Sequence, residues 1–487
     1  MNLNTLITNI NKSPVYNIIK KTPLQYANFL SKKTNNNIYL KREDLLPIFS
    51  FKLRGAYHKI YNVVNNNVLS TSHKLIACSA GNHAQGVAYS AKELNLDAKI
   101  VMPKITPQIK IDSVKNLGAH VIIHGNNFNE AQEFCYDIMK YENRTLIHPY
   151  NDYDVIAGQG TIGLELLNQL NDIDRIFCCV GGGGLISGIG AYIKMLKPSI
   201  EIIGVETENC NAMTQSLKEN KIVELDNICS YADGAAVKKV GDLTFDIAKQ
   251  VINKMVNVSN NEINYAIIDT FKDTRTILEP AGALGVAGAK KYLQQNNINH
   301  SNNVIITSGS NIDFKKLRYI SEMTDETEAF LSLTIPEKKG SFNNLYNLIY
   351  PNNVTEFSYR MNKNNDAQIY LSFQGENINE VLDKLFINNI NFEDVKNNSL
   401  VKDHLRYFIN SNNNNINERI FRFHFPDHPG ALKKFLDNLT DNFNVSLFHY
   451  RNHGSDIGKV LVGLQSDDKN IDQFLNNVGY TYFEERL

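Results

Sequence analysis

The 487-residue sequence lacks an excess of either charge. Lys+Arg 50 against Asp+Glu 51 leaves a net charge of -1. A nucleic-acid-binding chain carries a basic excess or stripe. None is visible, so nucleic acid and anionic membrane are disfavoured as partners and small molecules are favoured. The sequence also lacks a long apolar run. No segment approaches the ~18 residues that cross a bilayer. The stretch from Met1 to Lys21 has no basic start, apolar core and small-residue cleavage site, so it does not read as a secretory signal. The expectation is a cytoplasmic protein. The six cysteines (Cys78, Cys135, Cys178, Cys179, Cys210, Cys229) contain no CxxC pair, which disfavours zinc or a redox pair. Free thiols in a reducing compartment fit better. Adjacent Cys178 and Cys179 sit in one apolar run and are expected not to turn inward together. The histidines show no ligand spacing, so no metal is expected. No GxSxG appears, so a serine hydrolase of that type has no support.

What is present is an ordinary globular composition, hydrophobic residues 43% and charged residues 21%, which excludes global disorder and collagen-like fibre. Asparagine makes up about one residue in seven, in runs such as Asn65–Asn67 and Asn412–Asn415 that read as polar loop filler. At ~150 residues per domain the length suggests about three domains. Up to about residue 320, short apolar runs alternate with helical patterns. Strands are expected at Lys74–Cys78, Ala98–Met102, His120–Ile123, Arg175–Val180, Ile202–Val205 and Asn303–Thr307. Helices are expected at His83–Leu94, from about Gln108 to Leu117, and at Leu185–Leu196. This alternation predicts an α/β domain with open, mostly parallel sheets.

The tail repeats. Pro336 and Gly340 recur as Pro426 and Gly430, and Tyr359-Arg360 and Gln374 recur as Tyr450-Arg451 and Gln465. This register predicts an internal duplication. Each copy reads strand, helix, strand, strand, helix, a ferredoxin-like α+β order, and the second copy adds a last strand at Tyr480–Phe483. The Asn-rich stretch 410–417 is the expected joint between copies, and the first joint lies near Met323–Glu328. The expected domains are 1–325, 329–403 and 419–487.

Four segments carry chemistry. In Ser50-Phe51-Lys52-Leu53-Arg54-Gly55-Ala56 a lysine sits between apolar neighbours. Burial disfavours its ammonium and exposes a nucleophilic amine that bonds aldehydes and moves protons; alone, such a lysine reads as a snorkelling surface residue. Three loops follow expected strands at their carboxyl ends: Ser79-Ala80-Gly81-Asn82-His83, Gly181-Gly182-Gly183-Gly184-Leu185 and Ser308-Gly309-Ser310-Asn311. Ligands of open α/β sheets bind at that edge. Four glycines before a helix let backbone N–H groups close around an anion, with the helix dipole behind them. The loop lacks the Lys-Ser/Thr of a nucleotide-binding Walker loop. Gly158-Gln159-Gly160-Thr161-Ile162-Gly163 matches GxGxxG, yet no acidic residue stands ~20 positions on and no convincing strand precedes it, so dinucleotide binding is rejected.

These segments in combination resemble the fold type II pyridoxal-phosphate enzymes, and among them the biosynthetic threonine dehydratases. That likeness extends to Ala157–Thr161, Glu279–Ala283 and the tail phrases Ile335–Phe342 and Thr355–Arg360. The resemblance implies a two-lobed catalytic domain with pyridoxal 5'-phosphate and two ACT-like regulatory copies. It implies that Lys52 bonds the cofactor aldehyde, that Phe51 packs near the ring, and that Asn82 meets the phenolic oxygen. Gly181, Gly182, Gly183, Gly184 and Leu185 would hold the phosphate, and Ser308 would meet the pyridine nitrogen. Ser79, Ala80, Gly81 and Asn82 would grip the substrate carboxylate. Lys52 and Ser308 are the implied catalytic residues. The implied activity converts L-threonine to 2-oxobutanoate and ammonia at the entry to isoleucine synthesis. Isoleucine and valine are the implied effectors, and a homotetramer the implied assembly. A serine dehydratase or racemase, or a non-catalytic amino-acid sensor, remains an alternative.

Overall fold

The computed structural model describes residues 3–66, 74–324, 328–336, 341–350, 352–361, 366–375, 378–395, 419–426, 435, 444–451, 457–465 and 468–485. Two compact units divide at Asp313/Phe314.

In the first unit the strands are β1 (Leu24–Tyr26), β2 (Asn37–Arg42), β3 (Lys74–Cys78), β4 (Asp97–Met102), β5 (His120–Ile123), β6 (Thr145–Leu146), β7 (Arg175–Cys179), β8 (Glu201–Thr207), β9 (Lys254–Val258) and β10 (Asn302–Thr307). They form two sheets, in the orders β1-β2-β10-β7-β8-β9 and β5-β4-β3-β6. All pairings are parallel except the β1–β2 edge. An α/β unit with open, mostly parallel sheets follows, as the alternating pattern predicts, and its two sheets match the two-lobed form that the resemblance implies. Strand β7 is central and covered on both faces, so Ile176, Phe177, Cys178 and Cys179 are all buried. The expectation that the two cysteines could not both be buried is therefore corrected. They do point to opposite faces, but neither face of a fully covered parallel sheet meets water.

Five helices frame the site: α1 (Lys52–Asn66), α2 (Asn82–Glu93), α3 (Tyr153–Gln169), α4 (Gly184–Leu196) and α5 (Pro280–Gln295). The GxGxxG stretch lies inside α3, and its glycines serve helix packing. A Cβ on Gly158 would stand 2.5 Å from the Arg54 carbonyl of α1, and one on Gly160 would stand 3.0 Å from the Gly188 carbonyl of α4. The backbones of α1 and α4 are thus pressed against α3 from both sides. That contact ties the helix beginning at Lys52 to the helix beginning at the glycine cup.

Beneath α1 runs a buried ionic network. Arg54 is fully buried, and its Nε and Nη1 donate to Glu43 and Glu165, each at 2.7 Å. Lys41, also fully buried, donates to Glu165 at 2.6 Å, to the Thr22 carbonyl at 2.8 Å and to Gln169 at 2.8 Å. Buried charges persist only when paired in this way.

The second unit opens with the helix Phe314–Thr324 and holds two four-stranded antiparallel sheets. The first is β12-β13-β11-β14, from β11 (Glu328–Pro336), β12 (Asn353–Met361), β13 (Asp366–Gln374) and β14 (Asn391–Asp394). The second is β16-β17-β15-β18, from β15 (Arg419–Pro426), β16 (Asn444–Arg451), β17 (Ile457–Gln465) and β18 (Thr481–Glu485). The strand order is identical, and so is one irregularity: the register slips between Val354 and Glu356 in one copy and between Val445 and Leu447 in the other. A bulge at matching positions is a feature of a duplicated fold rather than an accident. Each sheet has its own apolar core, around Leu331, Leu371 and Phe373 in the first copy and Phe421, Phe423 and Val462 in the second.

One expectation is corrected here. The first copy also closes with a strand, β14, opposite β11. Its sequence Asn-Phe-Glu-Asp has one apolar residue and lies at the sheet edge, so it carries no alternating signal. The joint at 410–417 and the side chains of Tyr359, Arg360, Tyr450 and Arg451 lie outside the described residues.

Candidate active site

The lysine-bearing turn is pinned before its helix begins. Ser50 forms an isolated antiparallel bridge with Gly309, and the Phe51 N–H donates to the Ser308 carbonyl at 3.1 Å. Lys52 therefore starts α1 directly against the loop that follows β10. Its Nζ donates to the Pro149 carbonyl at 2.9 Å and stands 5.2 Å from the Phe51 ring centre. Burial pushes its pKa down to about 8, against smaller upward pulls from Cys179 and Glu279. A lysine of that kind holds an appreciable fraction of free amine near neutrality, which an exposed lysine does not.

Lys52 faces a cavity whose wall also includes Phe51, Asn82, Gly181–Gly184, Leu185 and Ser308. The structure thus brings together residues separated by more than 250 positions. The glycine cup leads into α4, with Gly183 at φ +94° and no side chain capping the helix. The first-turn N–H groups are left for an anion, and the dipole favours negative charge there. The cup is fixed from behind: Thr244 Oγ1 donates to the Gly182 carbonyl at 2.6 Å.

Glycine is needed in the cup for a steric reason as well. A Cβ on Gly182 would fall 2.3 Å from the Tyr150 ring, whereas one on Gly81 would meet nothing within 4 Å. Gly182→Ala is therefore expected to weaken pyridoxal-phosphate binding at least tenfold, and Gly81→Ala to leave it within about twofold, because a stiff ring against strand-end backbone has little room to yield. Equilibrium binding of the cofactor to the two apo variants checks this contrast.

Ser308 is buried. Its Oγ accepts from the Cys179 thiol at 3.3 Å and donates to the Ala281 carbonyl at 3.4 Å. Asn82 opens α2; its amide donates to Glu279 at 2.6 Å and accepts from Asn311 at 2.7 Å. Ser79, Ala80 and Gly81 form the turn just before α2 and stand outside the cavity wall. Gly81 caps α2 without a side-chain bond, so the start of that helix, at the carboxyl end of β3, is a second anion-receptive end.

Several wall residues carry no motif that assigns them a site role: Glu279, Gln159, Cys179, Pro149 and Tyr150. Glu279 belongs to a family phrase in the sequence, and Pro280 at the first helical position marks the helix start that places it. Gln159 and Cys179 line the wall from inside a helix and a strand. Pro149 contributes a backbone carbonyl and Tyr150 a ring face. Neither contribution leaves a trace in sequence pattern.

A desolvated lysine, a glycine anion cup and a neutral hydroxyl around one cavity suit a cofactor with an aldehyde, a phosphate and an aromatic nitrogen. With the two parallel sheets they define a fold type II pyridoxal-phosphate enzyme. Comparison with known families agrees: residues 15–309 match the pyridoxal-phosphate dependent enzyme family, and 320–405 and 410–486 match the C-terminal regulatory domain of threonine dehydratase. The chain is 46% identical to mitochondrial threonine dehydratase of Schizosaccharomyces pombe, over 97% of this chain and 81% of that one. It is 43% identical to the biosynthetic L-threonine dehydratase IlvA of Pasteurella multocida, over 96% and 93%. Among solved structures, the processed form of threonine deaminase isoform 2 from Solanum lycopersicum aligns with a TM-score of 0.64 at 44% identity, covering 66% of this chain and 93% of that one. The chain belongs to the threonine dehydratase family of pyridoxal-phosphate-dependent enzymes.

Proposed function

We propose that this chain converts L-threonine to 2-oxobutanoate and ammonia, the first committed step of isoleucine synthesis. The observation that carries the reading is Lys52, desolvated and facing the same cavity as the glycine cup. When bound, pyridoxal phosphate draws electrons from the substrate Cα and so acidifies its proton. Lys52 would hold the cofactor through its aldehyde. Its amine, whose pKa burial lowers, would be the base placed to take the substrate's α-proton. Gly181, Gly182, Gly183, Gly184 and Leu185 hold the phosphate with backbone N–H groups. Phe51 packs near the ring, and Asn82 meets the phenolic oxygen. Ser308 would offer the ring nitrogen a neutral hydroxyl, which would leave the ring a weaker electron store than a charged partner would. Ser79, Ala80, Gly81 and Asn82 bind the substrate carboxylate at the open start of α2. The water lost from Cβ is regained when the imine hydrolyses, so threonine yields one 2-oxobutanoate and one ammonia.

Residues 1–325 form the catalytic part in this reading, and the copies at 329–403 and 419–487 regulate it. Isoleucine inhibits, valine opposes it, and the assembly is a homotetramer. The duplicated sheets support this through their match to a regulatory domain family. The cytoplasm is the proposed compartment, supported by cysteines that are all free. Among the described residues no helix is long and apolar enough to cross a membrane.

Turnover assays with the full chain test the reading. L-Threonine is expected to yield 2-oxobutanoate with a kcat/KM at least tenfold above that for L-serine. Isoleucine is expected to weaken threonine binding by roughly 5–150-fold, the span of an ordinary allosteric coupling. Equal or better use of serine, or production of D-serine, would move the assignment to a dehydratase or racemase of the same cofactor class. Isoleucine binding without turnover of either amino acid would leave a sensor.

A further inference from the structure

Two polar side chains of the cavity wall, Asn82 and Glu279, join a third, Asn311, that stands outside the wall. The Asn311 amide, in the loop after β10, donates to the Ile48 carbonyl at 2.8 Å and to Asn82 Oδ1 at 2.7 Å. The Asn82 Nδ2 donates in turn to Glu279 Oε1 at 2.6 Å. An asparagine amide has two broad orientations that differ by exchange of oxygen and nitrogen. Here the exchange is blocked at both ends. A backbone carbonyl only accepts, so Ile48 fixes which atom of Asn311 is the donor. That donor fixes the Asn82 oxygen, and a carboxylate that only accepts fixes the Asn82 nitrogen. A flipped Asn82 would set oxygen against carboxylate and NH₂ against NH₂.

Glu279 is itself held firmly. It is buried, and its own N–H donates to the Gly309 carbonyl at 3.2 Å. Its Oε1 stands 2.5 Å from where a Cβ on Gly309 would be, so the glycine in that loop makes room for the carboxylate. It occupies the N-cap of α5, where the helix dipole favours negative charge.

We propose that Glu279 and Asn311 are positioning residues that lock the Asn82 amide in one orientation, so that its remaining N–H is presented to the phenolic oxygen of pyridoxal phosphate. The proposal rests on the reading that Asn82 meets that oxygen. A fixed donor there stabilises the negative charge on the oxygen at no cost in reorganisation. The carboxylate lies within electrostatic reach of Lys52 as well, so it acts on both ends of the lysine–cofactor linkage.

The test is a pH titration of the visible absorbance of the purified holoenzyme, together with cofactor affinity, for Glu279→Gln, Glu279→Ala, Asn311→Ala and Asn82→Ala. Glu279→Ala and Asn311→Ala are expected to move the titration midpoint of the visible band in the same direction as Asn82→Ala. Glu279→Ala is also expected to weaken cofactor binding about tenfold. Glu279→Gln can still offer an oxygen to Asn82, so it keeps most of the affinity and shows the loss of charge as a smaller midpoint shift. This variant also serves if the alanine change does not fold. A shift in Asn82→Ala with wild-type curves and affinities in all Glu279 and Asn311 variants would overturn the lock while leaving the role of Asn82 intact. An unaltered curve in Asn82→Ala would overturn both.

Discussion

Lys52→Ala is expected to lower threonine turnover by at least ~10⁴-fold, because one substitution removes both the covalent anchor and the group that moves the α-proton. Acid–base catalysis alone contributes ~10²–10⁴-fold, and loss of the anchor adds to it. Lys52→Arg is expected to fare no better. A guanidinium keeps the positive charge but is never a free amine in water, so it neither bonds an aldehyde nor takes a proton. Among the described residues, the one hydrogen bond from the Lys52 side chain goes to the Pro149 carbonyl. Both variants should therefore melt close to wild type, which separates a chemical defect from a folding one. Single-turnover assays with saturating cofactor measure the effect, and circular dichroism checks the fold. Retention of the cofactor's visible absorbance and of full 2-oxobutanoate production by Lys52→Ala would refute the assignment.

Arg54→Ala is expected to be the most destabilising single change beneath the site. It leaves Glu43 and part of Glu165 as buried charges without their guanidinium, and breaking a buried pair costs about 3–5 kcal/mol. That corresponds to a fall in Tm of roughly 5–15 °C in a domain of this size. Arg54 stands two residues beyond Lys52 on α1, so heat should release the variant's cofactor earlier than the wild type's. The effect has a pH signature. Burial alone would raise the Glu165 pKa, but Arg54 and Lys41 outweigh it and hold the carboxyl below its usual 4.5. A carboxyl with a depressed folded pKa contributes stability above the unfolded value and loses it as pH falls through the folded one. The gap in Tm between wild type and Arg54→Ala should thus be full at neutral pH and narrow on acidification below 4.5. Scanning calorimetry of the apo forms across that range checks both magnitude and sign.

What the residues alone revealed follows from where their signals are strong. The strands Lys74–Cys78 and His120–Ile123 have the bounds that their apolar runs predict. The glycine cup sits where a strand ends and a helix begins, because four side-chain-free residues in that position have few other uses. The duplicated tail was legible from the recurrence of Pro336 and Tyr359-Arg360, and the matching bulges show that the recurrence reaches the backbone. The misses share a physical cause. Strand β14 has one apolar residue and pairs along one edge, so nothing in its composition demands a strand. Cys178 and Cys179 are both inside because the sheet is covered twice, a property of tertiary layering. Glu279, Pro149 and Tyr150 act through a distant side chain, a backbone carbonyl and a ring face, and each becomes visible only when the chain closes on itself.

If Lys52 carries the cofactor, reductive trapping will find it there. Borohydride treatment of the holoenzyme, followed by proteolysis and mass spectrometry, should place a reduced pyridoxyl phosphate on the peptide containing Ser50–Gly55, on Lys52, at close to one per chain. Recovery of the label on another lysine, or a fully active enzyme with no label on Lys52, would show that Lys52 is not the cofactor's anchor.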